Sequence, residues 1–154
     1  MDFSVIFAWL AQFIVTVGIT ALVWYILQII AYWRVFAKAG IPGFLSLIPI
    51  LNVFLEFKLA WNGKAAVAFF LLSALSGFLP YLSAFLDAGS AGKMILSLAS
   101  FVVMLLLAIC VIRERFKLAR SFGKGFFFAL GLLFLEPVFL MILGFGSAAY
   151  HKKK

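Results

Sequence analysis

Long apolar runs, broken at a few sharply polar points, set the pattern of this chain. The first extends from Phe3 to Trp33; as a helix, roughly 31 residues rise about 46 Å, more than a hydrocarbon core of about 30 Å, so this run must tilt or protrude. It closes on Trp24, Tyr25, Tyr32 and Trp33, followed by Arg34 and Lys38, the aromatic-then-basic order of a membrane interface. Gly40, Pro42 and Gly43 then stop the helix. The next run, Phe44 to Leu55, is only about 12 residues long and contains Pro49 and Asn52, which fits a re-entrant or interfacial segment better than a span. Ala65 to Leu86 and Met94 to Ile112 are long enough to cross, the former with Ser73, Ser76, Gly77 and Pro80 as small or helix-breaking positions. Phe126 to Ala149 is apolar again, but Glu136 and Pro137 divide it.

The pattern therefore predicts an all-α polytopic integral membrane protein forming one helical domain over residues 1–154. It has three to four transmembrane helices, with spans at about 3–33, 65–86 and 94–112 and Pro-broken re-entrant or interfacial segments at about 44–55 and 126–149. Transmembrane β-strands alternate apolar and polar residues over about 10 positions, which these unbroken runs do not.

Composition agrees. Of 154 residues, 67% are hydrophobic and 12% charged, and the mean hydropathy of +1.22 lies outside the range of soluble domains. Cys110 is the single cysteine and His151 the single histidine, so no internal disulfide and no ordinary zinc or haem ligand set can be assembled. No cofactor or metal is expected.

The net charge of +8 is accounted for by the excess of Lys and Arg on cytoplasmic segments, with no need to invoke nucleic acid. Asp2 precedes an apolar run too long for a signal-peptide core, so the first segment reads as an uncleaved span. Arg34, Lys38, Lys58 and Lys64 follow the first span, Lys93 alone follows the second, and Arg113, Arg115, Lys117, Arg120 and Lys124 follow the third. This places the first and third connections in the cytoplasm and the amino terminus outside, in a multi-pass protein of the plasma membrane. A full last span would carry Lys152, Lys153 and Lys154 outside against that trend; folding back at Glu136 and Pro137 removes the conflict, as would a tail that is not native. Long helix, basic connector and Pro-broken segment thus occur twice, a loose repeat of the kind that marks binding sites in transporters.

Glu136 is the sharpest candidate. A carboxylate inside an apolar segment costs a few kcal/mol unless paired, protonated or facing water, and Pro137 frees a backbone carbonyl beside it. It could bind a cation or relay a proton, or it could pair with Lys58 or Lys124 and pin the fold. Gln12, Thr16 and Thr20 recur every four residues and form one stripe, read as interhelical contact or a polar pathway. Asn52, beside Pro49, is placed to bond freed backbone groups or to face a ligand. Arg113, Lys117, Arg120 and Lys124 recur at helical spacing and, with Arg115, form a candidate face for anionic lipid or a partner. No His–carboxylate–Ser set, paired aspartates or metal cluster is present, and the isolated Ser and Lys residues form no motif, so no enzyme activity is expected.

Three stretches in order, FAKAGIPGFLSLIPILN (Phe36 to Asn52), FGKGFFFALGLLFL (Phe122 to Leu135) and ILGFGSAAY (Ile142 to Tyr150), resemble a family of small prokaryotic membrane proteins of uncharacterised activity. In that family a KAG-x-PGW-like turn precedes an IP-x-YN segment and the chain closes on LGFG-x-A-x-Y; Phe44 and Leu51 stand here where the family tends to have Trp and Tyr. Some members carry the label signal peptidase I, but the matching stretches lie outside any peptidase motif and bring no catalytic residues with them. The resemblance implies fold and location. Two functional expectations stand beside it: a non-catalytic accessory or scaffold subunit with a basic cytoplasmic face toward lipid or a membrane protein partner, and a small homo-oligomeric channel or transporter with a site near Glu136.

Overall fold

The computed structural model describes residues 3–87 and 89–151, and among them the protein is all-helical. Helix α1 spans Phe3–Lys38, a short 3-10 helix Gly43–Leu47 follows, and then come α2 (Pro49–Ala60), α3 (Gly63–Ser83), α4 (Ala91–Ser121), α5 (Phe126–Phe134) and α6 (Glu136–Phe145). Helices α1, α3 and α4 are long and apolar enough to cross a membrane. They follow the three long runs, but α1 continues to Lys38, α3 stops at Ser83 short of Leu86, and α4 carries on through the charged RERFKLAR stretch to Ser121.

Local chemistry sets the ends. Asn62 caps α3, its Oδ1 accepting from the Ala65 amide at 2.8 Å, and Ser90 caps α4 through the Lys93 amide at 3.3 Å. Gly123, at φ 68°, takes the left-handed conformation just beyond the end of α4 that a residue with Cβ adopts only at a cost. Pro49 opens α2 and Pro137 opens α6, positions where a missing amide hydrogen removes no helical bond.

Both Pro-started helices begin deep and return to one end of the bundle. After α1 ends, the 3-10 helix lies back along it, where the Ser46 hydroxyl donates to the Ile29 carbonyl at 3.2 Å. From there α2 climbs again, bringing Glu56 beside Tyr32 and the Leu59 carbonyl within 3.1 Å of the Tyr150 hydroxyl. The last segment behaves alike. Helix α5 leaves from the end of α4, the chain breaks at Leu135, and α6 runs alongside α1 from Glu136 at Tyr32 to its own end at Lys38. Lys38 Nζ donates to the carbonyls of Leu143, Gly146 and Ala148 at 2.7, 2.5 and 3.0 Å, so a cation holds the carbonyl end of α6. The His151 amide finally reaches the Ser121 carbonyl at 2.7 Å. Residues 126–151 therefore start and finish at the same end of α4.

The tightly packed core lies at this end. Ala31, Tyr32, Val35, Phe36, Leu118, Ala119, Leu132, Leu140 and Leu143 are buried together. Most of α1 before Ala31, by contrast, is exposed on all sides, as suits a helix solvated by lipid.

Candidate functional site

All three glutamates of the chain meet at the base of this core around one guanidinium. Arg115 comes from α4, Glu56 from α2, Glu136 from the first turn of α6 and Tyr32 from α1. Arg115 Nη1 forms an ion pair with Glu56 Oε1, and Nη2 reaches Glu136 Oε1 at 2.9 Å. Nη1 also lies 3.3 Å from Glu114 Oε2 and donates to the Tyr32 hydroxyl at 3.2 Å. That hydroxyl is within hydrogen-bond distance of Glu56 Oε1 and 2.8 Å from Glu136 Oε1; having one proton, it donates to one carboxylate at a time. The side chains of Arg115, Glu56 and Glu114 are 11%, 6% and 1% exposed, while Glu136 retains 22%. Charge-assisted bonds in so dry a place tie four helices together at a point.

Depth follows from helix geometry. Tyr32 precedes Lys38 by six residues, about 9 Å of rise, so the cluster lies below the basic rim, level with the break at Leu135 from which α6 starts. Glu136 is paired, but with Arg115 and Tyr32; Lys124 lies instead 5.6 Å over the Phe128 ring and Lys58 is exposed. Glu114 Oε1 is buried without a hydrogen-bond partner among the described residues, as is Asn52 Oδ1, one turn before Glu56 on α2. No group of three or more His, Cys, Asp or Glu among the described residues is arranged to hold a metal ion.

The other candidates separate. Arg115, grouped on sequence with the outward basic residues, turns inward, because it projects about 200° around α4 from Arg113 while Lys117 and Arg120 stay near Arg113; Lys124 lies beyond the end of α4. Arg113 and Lys117 cover the Trp61 ring at 5.1 and 3.7 Å, and Arg120 is exposed. Among the described residues Gln12, Thr16 and Thr20 lie on an exposed stretch of α1, where Thr16 and Thr20 donate to the carbonyls four residues back, each at 2.8 Å. Lys152, Lys153 and Lys154 lie outside the described residues. Sequence reading had passed over Tyr32, Glu56 and Glu114 as functional groups. The signal for them was the lone Arg115 on the opposite side of α4 from its basic neighbours, at the same end of the chain's topology as every glutamate.

No curated protein and no solved structure matches this chain. A family model does so over residues 44–153, starting within the first of the three motif stretches. The chain thus belongs to DUF5684, a family of unknown function, and it does so as an all-helical protein with three helices long and apolar enough to span a membrane.

Proposed function

We propose that this protein is a non-catalytic accessory or scaffold subunit of the cell membrane, whose basic end faces the cytoplasm and contacts anionic lipid headgroups or an acidic membrane partner. The observation that carries the reading is the division of charge at that end. Arg115 engages the glutamates inside, while Arg34, Lys58, Lys64 and Arg120 remain exposed around them. The opposite end, between α3 and α4, carries one basic residue, Lys93, and one acidic residue, Asp87. Each basic residue near an anionic surface contributes about 1 kcal/mol. The α2 and α5–α6 segments are re-entrant in this reading, and the amino terminus is outside.

Spin-labelled phosphatidylglycerol and phosphatidylcholine in nanodiscs test it. The wild type should immobilise more of the anionic lipid, with a preference that shrinks in salt. Replacing Arg113, Lys117 and Arg120 by Glu should remove most of that preference; equal selectivity in wild type and variant at low salt overturns the lipid face.

One observation favours a transport reading instead: Glu114 Oε1, buried and unpartnered among the described residues, beside a Glu136 that is 22% exposed, is where a proton or small cation would sit. Vesicle flux of protons or cations that falls with Glu136→Gln would support a small oligomeric channel, and leak no greater than in protein-free vesicles would remove it.

A further inference from the structure

We infer that the groove between α1 and α6 binds one anionic phospholipid, with an acyl chain along Ile29, Ile30, Trp33 and Phe145 and the phosphate at Arg34. The inference rests on the reading that this end of the bundle meets headgroups. The groove is open, with room of about 340 Å³ and apolar walls; Arg34 is the one charged residue lining it, and it does so through its stem. It exists because Gly144 lets α6 approach α1 with almost no side chain between them: a Cβ at Gly144 would lie 2.9 Å from Arg34 Cβ and 3.1 Å from the Ala31 carbonyl oxygen.

Its walls are held in place. The Trp33 indole packs against Gly43, where a Cβ would collide with the ring, so Trp33 is kept as a wall. The Arg34 guanidinium lies 5.0 Å from the Phe145 ring centre, a cation–π arrangement that leaves its edge free to donate to an oxyanion. Polarity runs the right way for a lipid. Ile29 and Ile30 lie deeper along α1, Arg34 is one turn nearer the rim, and Lys38, one turn further on, is close enough to share its electrostatic field. Apolar chain below and phosphate above is the order in which a phospholipid presents itself. Two neighbouring cations, Arg34 and Lys38, favour a net negative headgroup over a zwitterion.

Native mass spectrometry of the intact protein with phosphatidylglycerol or phosphatidylcholine of matched chains tests the site. The wild type should retain one phosphatidylglycerol preferentially. Arg34→Gln should lower that occupancy about fivefold, the equivalent of about 1 kcal/mol for one basic residue at a headgroup, and Arg34→Lys should restore much of it. Ile30→Trp should fill the groove and lower retention of both lipids, whereas Lys93→Gln at the far end should change neither. Unchanged phosphatidylglycerol retention in Arg34→Gln overturns the site, as does full displacement by glycerol phosphate, which has a headgroup and no chain. If bulk anionic preference persists in nanodiscs while the single tight lipid is absent, the groove alone is wrong; loss of both overturns the reading beneath it.

Discussion

Arg115 answers three carboxyl groups with one guanidinium in a place almost closed to water, so its removal leaves buried charge or forces its neutralisation. Arg115→Met should therefore destabilise the fold by about 3–5 kcal/mol, the usual consequence of breaking a buried ion pair from one side. Arg120→Gln, a few residues along on the exposed side of the same helix, should stay within about 0.5 kcal/mol. Denaturant unfolding in a mild detergent separates the two, and equal midpoints would show that the cluster does not hold the helices together. Glu136 was legible as a residue needing compensation, since a carboxylate between Leu135 and Pro137 is costly unless paired, protonated or facing water. Its partner was harder to see. Lys124 was near in sequence, whereas Arg115 becomes available only when the basic stretch is a continuous helix whose far side faces inward. Tyr32 was equally ambiguous, because an aromatic before a basic pair reads as an interfacial anchor whether or not its hydroxyl turns toward a carboxylate.

At the level of the helices, α6 lies against α1 because two backbones touch, and Gly144 is where they do so. Gly144→Ala should cost about 1–3 kcal/mol by overpacking, since backbone on one side and the Arg34 stem on the other leave little room to yield. Gly77→Ala in α3 meets nothing within 4 Å and should be neutral or slightly stabilising, through the better helix propensity of alanine. Comparing the two by thermal unfolding distinguishes a packing contact from a general preference for glycine, and a Gly144→Ala variant as stable as Gly77→Ala would overturn the close crossing. The breaks themselves could be read in advance, because Pro49 and Pro137 fall inside apolar runs too short to cross on both sides. The direction each segment takes afterwards could not. It is set by contacts between residues far apart in the chain, Ser46 with Ile29 and Lys38 with Gly146, and neither pair has a local signature. The polar stripe on α1 is ambiguous for a related reason: threonine hydroxyls that bond to their own helix carry the same spacing as hydroxyls that bond across helices.

Sidedness is the property of the whole molecule on which the basic rim depends, and the return of the last segment makes it testable. Because the His151 amide meets the Ser121 carbonyl, the chain just beyond α6 must lie on the same side of the membrane as the end of α4. Cys110 is the only native thiol, so a Cys110→Ala background accepts single cysteines cleanly. Arg120→Cys, Ser147→Cys and Asp87→Cys are all at exposed positions. An impermeant maleimide applied to right-side-out cells should label Asp87→Cys, and Arg120→Cys and Ser147→Cys only after the membrane is opened. The two halves of this outcome answer different questions. Ser147→Cys labelling together with Asp87→Cys would mean that α5 and α6 cross the bilayer in sequence, and the helical hairpin would have to open. Arg120→Cys labelling from outside would instead leave the hairpin intact and invert the protein, contrary to the pull of its Lys and Arg residues toward the cytoplasm.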